Sequence, residues 1–265
     1  MPKIHPLSIV DPKARLSDDV VIGPFCIVGP DVEIDSGTVL ISHVNVLGMT
    51  CIGKRNKIYP NACVGCEPQD KKYKGEKTRL TVGDDNVIRE HVTISIGTIQ
   101  DHGVTIVGSR NLFMANAHVA HDCVIGNDVI LANNVAVAGH CHIDDFAIIG
   151  GQAGLHQFSR IGTHAMVGGA SAIVMDVPPY IICNGNPAEP HGLNVVGLKR
   201  AGYTLEKLNV LKAAYKVIYR DGFTVAEASA ELAALKDSAP SLATEIDALI
   251  GFINASKRGI IRPRG

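Results

Sequence analysis

The stretch Val107-Gly108-Ser109-Arg110-Asn111-Leu112-Phe113-Met114-Ala115-Asn116-Ala117-His118-Val119-Ala120-His121-Asp122-Cys123-Val124-Ile125 places a large apolar residue at every sixth position: Val107, Phe113, Val119 and Ile125. The series continues as Leu131, Val137, Ile143, Ile149, Leu155, Ile161, Val167 and Ile173. One residue out of phase, the same spacing runs from Ile4 through Val10, Leu16, Ile22, Val28, Ile34, Leu40, Val46, Ile52 and Ile58 to Val64, and returns at Val82, Ile88 and Ile94. Phe113 alone among these is not a branched aliphatic. A helix repeats near 3.6 residues and a strand near 2, so neither explains a period of six. A short strand followed by a turn does, with the aliphatic side chain pointing inward. Three such hexads close a triangular coil of eighteen residues, and successive coils stack at the inter-strand distance of ~4.8 Å.

Composition agrees with a narrow, repetitive core. Of 265 residues, 46% are hydrophobic but only 5% aromatic, and Trp is absent. Glycine is abundant at 27 residues and often follows the inward position, as at Gly108, Gly126 and Gly150, where it suits turn conformations. A formal net charge of −1 gives no general attraction to nucleic acid. The N-terminus carries no apolar run of signal or membrane-spanning type, which predicts no stable membrane insertion. Seven cysteines without a framework spacing suit a reducing, cytoplasmic setting. Cys63 and Cys66 form a lone C-x-x-C, read as small packing residues rather than as half of a metal site.

Two segments break the phase. Residues 66–77 are polar, replace about two hexads and are expected to project as a loop. Residues 97–103 form a shorter break at the slip. Long polar loops on a rigid scaffold are common places for function. Pro178-Pro179 ends the repeat, and residues 180–200 read as irregular. From Thr204 the period becomes helical, with Leu205, Leu208, Leu211, Tyr215 and Ile218 on one face. Asp221-Gly222 stops that helix, Thr224 and Glu227 form a capping box for a second, and a third begins near Ser241. The expected organisation is a β-helix domain over 1–190 and a small helical domain over 191–265, ending in a basic cluster that includes Lys257, Arg258, Arg262 and Arg264.

Residues eighteen apart stack in columns. His121, Gly139 and Gln157 form one column; Asp122, His140 and Phe158 form the next. His121, His140 and His156 therefore fall along one edge on three successive coils, spanning ~10 Å, with His118 facing outward just before them. A carboxylate beside an imidazole fixes its tautomer and raises its basicity, which suits His121 and Asp122. Gly139 offers a backbone N–H for an oxyanion. No G-x-S-x-G elbow occurs and no cysteine stands out as a nucleophile. The chemistry these residues suit is acyl transfer by general base, without a covalent intermediate. No metal or other cofactor is expected, although His118, His121 and His140 form an alternative zinc-ligand set. A non-catalytic β-helix would not need the clustered histidines.

Several blocks are more specific than the hexads: Ile22-Gly23-Pro24-Phe25-Cys26-Ile27-Val28-Gly29-Pro30, Gln69-Asp70-Lys71-Lys72-Tyr73, Asn116-Ala117-His118-Val119-Ala120-His121-Asp122-Cys123, Leu131-Ala132-Asn133-Asn134, Asp176-Val177-Pro178-Pro179 and Gly197-Leu198-Lys199-Arg200. Through them the chain resembles, almost end to end, the UDP-N-acetylglucosamine O-acyltransferases of lipid A biosynthesis. The resemblance implies a left-handed coil and a homotrimer with clefts between subunits. It also implies transfer of a 3-hydroxyacyl chain from acyl carrier protein to UDP-N-acetylglucosamine. By it, His121 is the general base on the sugar 3-hydroxyl, Asp122 orients it, and the Gly139 N–H steadies the thioester oxyanion. His118, His140, His156 and Gln157 bind sugar, phosphate or acyl group. Gln69, Asp70 and Lys72 reach the substrate of a neighbouring subunit, and Asn194 and Arg200 hold the uridine diphosphate end. Gly169 stands where the family measures acyl length, and a glycine there implies a deeper pocket. The chain departs from the pattern at Ser95-Ile96, where many members have histidine and arginine. It departs again at Val196, where many have an acidic residue. Both positions concern substrate binding and leave open whether the acceptor is a 3-hydroxyl or a 3-amino sugar. The N-acyltransferase of the same pathway shares the hexads but has an additional N-terminal domain, and here the hexads begin at Ile4.

Overall fold

A computed structural model describes residues 1–263; Arg264 of the basic tail lies outside the described residues. Each hexad forms one short strand and one turn. The strands stack into three sheets of eleven, nine and eight members. Apart from one terminal hairpin every pairing is parallel, typically between residues eighteen apart, as in Leu112 with Ile130, His118 with Ala136 and Val124 with His142. The architecture is a left-handed parallel β-helix followed by a helical tail. We name the sheets by these strands: Leu112–Phe113 lies in the first, His118–Val119 in the second and Val124–Ile125 in the third.

The sixth-position residues fill the prism. All are buried except Ile4, Val10 and Leu16, which form the first coil. The third residue after most inward ones takes a positive φ, as at Arg110, Asn116, Asp122, Asn134, His140 and Phe158. The left-handed conformation is thus carried mostly by non-glycine residues. Most of the glycines after the inward positions answer a different need from the one expected, Gly65 with its φ of 79° being an exception. Gly108 has no positive φ; a Cβ there would collide with the carbonyl oxygen of Gly126 one coil on. Coil-to-coil clearance, not turn conformation, selects it. Three buried asparagines, Asn56, Asn86 and Asn111, form a ladder in which each side-chain oxygen accepts a backbone N–H from the next coil.

The two breaks are insertions rather than replacements. Lys57 pairs with Val87, thirty residues on, and Val87 with Leu112, twenty-five on, against eighteen in the regular coils. Twelve and seven extra residues are looped out, and the ladder of the first sheet continues unbroken. Both loops leave the same corner, between a strand of the second sheet (Cys63–Cys66, Thr93–Ser95) and one of the third (Arg79–Val82, Val104–Val107). The next coil places His121 at that corner.

Residues 180–200 are more regular than expected. Ile181–Gly185 and Ala188–Leu193 form an antiparallel hairpin that extends the first sheet, and helix α1 spans Val195–Arg200. Helix α2, Leu205–Tyr219, buries Leu208, Leu211, Ala214 and Ile218. Leu205, expected on that face, is 68% exposed because it is the first helical residue, directly after the cap Thr204. Helix α3, Val225–Ser238, carries the Thr224/Glu227 capping box, and α4 spans Ala243–Ala255. The chain then returns to the coil: Ile260 bridges to Asp176, and Ile260 and Ile261 are buried. Tail and coil share one apolar cluster. Among the described residues no helix is long and apolar enough to cross a membrane.

Leu131 is fully buried at an inward position. Leu131→Ala is expected to destabilise the fold by ~2–5 kcal/mol, through lost burial and the cavity left behind. A lowered chemical-denaturation midpoint would show it.

Candidate active site

The corner between the second and third sheets stacks three turns: Ala120-His121-Asp122, Ala138-Gly139-His140 and His156-Gln157-Phe158. Asp122, His140 and Phe158 occupy the left-handed position of these turns, with φ of 57°, 63° and 65°. That conformation sends Asp122 back into the corner and its carboxylate is buried. Nδ1 of His121 lies 2.9 Å from Oδ2 of Asp122. With a carboxylate as partner, Nδ1 carries the hydrogen and Nε2 keeps a lone pair toward the solvent side. The side chain of His121 is only 13% exposed.

The seven-residue insertion holds this pair. The backbone N–H of Thr98 donates to both carboxylate oxygens of Asp122 at 2.9 and 3.0 Å, and its hydroxyl donates to Oδ2 at 2.5 Å. The Asp122 N–H donates to the hydroxyl of Thr105. Burial opposes ionisation of Asp122 most strongly. The hydrogen bonds from His121 and Thr98, with the nearby His140, outweigh it and hold the carboxyl below the usual carboxylate range. From the same loop, Asp101 Oδ2 lies 2.7 Å from Nδ1 of His140. The His140 ring meets His121 edge-on with centroids 4.9 Å apart and stacks on Phe158 at 4.3 Å.

Gly139 is required by space. A Cβ there would come within 2.7 Å of Cε1 and 2.8 Å of Nε2 of His121, so the imidazole lies directly over the glycine. Its N–H donates to no acceptor among the described residues. His118 bonds through Nδ1 to the Thr93 hydroxyl at 2.7 Å, and burial, then the neighbouring His121, holds it below the ordinary imidazole value. These residues line a cleft of about 370 Å³ on the outer face of the second sheet, with Gln69 at one end and Gly154 and Leu155 at the other. Its floor is made of small outward residues, Ala136 and Gly154, and Ala172 continues that row.

The structure joins Gln69, Asp70, His118, His121, Asp122, Gly139 and His140. The twelve-residue insertion turns toward its own chain rather than away from it: Asp70 Oδ2 lies 4.0 Å from Nε2 of the same chain's His121. Lys72 is exposed, its N–H bonded to Asp70 Oδ1. His156 and Gln157 lie one coil further along the corner and are exposed; Nδ1 of His156 donates to the Gln157 carbonyl. Gly169 sits at the corner between the first and second sheets. Asn194 lies at the third corner, where its side chain caps α1 through the Gly197 N–H and donates to the His164 carbonyl, and Arg200 ends the same helix. The sequence reading missed Thr93, Thr98, Asp101 and Thr105. The signal lay in the position of the second break, one coil before His121.

His121, Asp122 and His140 also place ligand atoms within 4.8 Å of one another. His118, the third member of the alternative zinc set, is tied instead to Thr93. Cys123 and Cys141 fill the prism, where burial pushes the Cys123 thiol well up. Neither is an available nucleophile.

Comparison with known proteins bears on this arrangement. Residues 176–261 match the family model described as UDP-N-acetylglucosamine O-acyltransferase, domain 2, and residues 105–139 match the bacterial transferase hexapeptide model. An acyl-[acyl-carrier-protein]–UDP-N-acetylglucosamine O-acyltransferase of Thiobacillus denitrificans is 50% identical over 99% of this chain and all of its own length. The crystal structure of the UDP-N-acetylglucosamine O-acyltransferase of Moraxella catarrhalis superposes with a TM-score of 0.93 at 48% identity, covering 98% of this chain and 99% of that one. The Francisella novicida UDP-N-acetylglucosamine acyltransferase gives 0.95 at 40% identity, covering 99% and 95%. With a relative half identical over the full length, on the fold that the hexads dictate, the chain belongs to the UDP-N-acetylglucosamine O-acyltransferase family.

Proposed function

We propose that this acyltransferase moves a 3-hydroxyacyl chain from acyl carrier protein to the 3-hydroxyl of UDP-N-acetylglucosamine, the first step of lipid A biosynthesis, in the cytoplasm, with His121 as general base. The observation that carries the reading is the His121–Asp122 pair, with Nε2 left free above Gly139. Nε2 takes the proton from the sugar hydroxyl as its oxygen attacks the thioester carbonyl. The oxyanion that forms lies against the Gly139 N–H. When the C–S bond breaks, the thiolate of the carrier receives the proton from the imidazolium. Asp122 stays ionised throughout and stabilises that imidazolium. His118 and Gln69 line the acceptor side of the cleft, with Asp70 4.0 Å from Nε2 of His121, and the row Ala136, Gly154, Ala172 makes a shallow trough for the acyl chain leading toward Gly169. Within one chain Arg200 and Asn194 belong to a different corner from His121. A homotrimer would bring them to a neighbour's cleft, where Arg200 suits the nucleotide end.

The decisive experiment is product analysis by mass after incubation with UDP-N-acetylglucosamine and a panel of 3-hydroxyacyl carrier proteins. The parent yields an acylated nucleotide sugar, and His121→Ala lowers the rate by at least ~10². Equal rates in the two would remove His121 from its role. In the same panel, Gly169→Met is expected to shift preference to shorter donors. Its Cβ would lie 3.2 Å from the Gly151 carbonyl, so the side chain is accommodated with a small shift.

Because its folded pKa lies below the unfolded value of ~3.9, the Asp122 carboxylate contributes stability above about pH 4. That stability is lost as pH falls through the folded value. The gap in unfolding midpoint between the parent and Asp122→Asn should therefore narrow from about pH 6 to about pH 3. A constant gap would show that the charge of Asp122 does not stabilise the fold.

A further inference from the structure

The C-x-x-C of Cys63 and Cys66 is not the interior packing that its spacing suggested. Strand Cys63–Cys66 meets strand Thr93–Ser95 in a shifted register: Val64 stands opposite Ile94, but Cys66 stands opposite Ser95. One residue, Gly65, is therefore extra, and it forms the bulge with a φ of 79°. Side chains alternate across a strand, so cysteines three apart belong on opposite faces. The bulge cancels one step and leaves both on the outer side of the inward Val64. Both are half-buried, while Val64 and Gly65 between them are buried. Cys66 Sγ lies 3.3 Å from the Ile94 carbonyl, to which the thiol donates, and 3.7 Å from the Ser95 hydroxyl. A hydrogen bond from Cys63 lowers the Cys66 thiol to about 7 against the opposing effect of burial, and the same contact, then burial, raises the Cys63 thiol. A partly exposed thiolate thus has a thiol as its neighbour. Cys123 and Cys141 are neighbours too, but both are sealed inside the prism. The pair at the bulge also adjoins the candidate site on two sides. Cys63 is the register partner of Thr93, whose hydroxyl holds His118. Cys66 opens the twelve-residue insertion, and four residues on Asp70 lies 4.0 Å from Nε2 of His121.

We propose that Cys63 and Cys66 are a reversible oxidation site, at which a hydroperoxide joins the two outward thiols into a disulfide that ties the root of the insertion to the wall of the cleft. The Cys66 thiolate attacks a peroxide oxygen; the O–O bond breaks, hydroxide leaves and takes up a proton as water, and Cys66 becomes a sulfenic acid. The Cys63 sulfur then attacks the Cys66 sulfur. The S–S bond forms, the S–O bond breaks, and hydroxide leaves with the Cys63 proton as a second water. The two thiols lose two electrons and the peroxide gains them. A disulfide formed in a reducing compartment is transient, which suits a site that senses oxidant rather than one that holds the fold. The oxidation is independent of the acyl-transfer reading; only its effect on turnover rests on that reading.

The test exposes the reduced full-length protein to hydrogen peroxide, blocks the remaining thiols by alkylation, and digests with trypsin. The peptide over residues 58–71 holds only these two of the seven cysteines. After peroxide it should escape alkylation and weigh about 2 Da less than the reduced peptide, and dithiothreitol should reverse both changes. In Cys63→Ser the sulfenic acid at Cys66 has no resolving thiol and should be trapped by dimedone. Cys66→Ser should keep the activity of the reduced parent and lose its response to peroxide. Turnover of the oxidised parent should fall about tenfold, the scale on which a small displacement of a positioning group acts, and recover on reduction. Peroxide that oxidises the exposed Cys51 while both thiols of the 58–71 peptide remain open to alkylation would overturn the oxidation site. A disulfide formed with turnover unchanged would overturn its hold on the cleft. Should the reduced parent transfer no acyl group, the acyl-transfer reading fails by itself, and the peptide mass still decides the oxidation.

Discussion

The inward aliphatic side chain at every sixth residue, locked at the spacing of one coil on the next, governs the molecule. Because coils stack at the inter-strand distance, any atom protruding from a backbone position that faces the neighbouring coil is excluded. Gly108 meets that constraint against Gly126. The same stacking converts sequence distance into position: eighteen residues along the chain mean one step along the axis. The corner columns His121–Gly139–Gln157 and Asp122–His140–Phe158 follow directly. The geometry of the candidate site is therefore a by-product of the repeat. The imidazole of His121 lies over residue 139 because the column places it there, and only glycine leaves it room.

Most of this was legible in the sequence. The period gave the coil, the column arithmetic gave the convergence of His121, Asp122, Gly139 and His140, and the Thr224/Glu227 capping box was visible as a motif. What was hidden had a common cause. Period and column describe the regular part of the chain and say nothing about where looped-out residues turn. The return of Asp70 to its own chain's His121 and the clamp of Thr98 on Asp122 both arise from insertions. Helix α1 was hidden for another reason. Its six residues are too few for periodicity to register, and they are held by Asn194 as cap rather than by an amphipathic stripe. Leu205 fitted the helical period but sits at the helix start, before the buried face begins. Most of the glycines were correctly located but wrongly explained, because composition cannot separate a turn requirement from a clearance requirement; at Gly65, with a positive φ, the turn explanation holds.

The site shows how a rigid scaffold tunes a carboxylate without sacrificing its charge. Asp122 is buried, which by itself favours the neutral acid. Three donors from Thr98 and His121 converge on its two oxygens and reverse that preference. The polar network is worth its desolvation only because every partner is present. Thr98 lies in a loop, yet the loop is fixed at both ends by adjacent strands of the prism, so the donors are held as firmly as if they sat on the sheet.

Both insertions leave at one corner, on the two coils that precede His121, and the ladders on either side continue as though nothing had been added. Closing a longer loop costs little, ~0.6 kcal/mol for each doubling of its length. The chain therefore separates what holds it together from what it recognises. The segments over the His121 corner can be lengthened, shortened or rewritten while the residues that stack the coils keep their places.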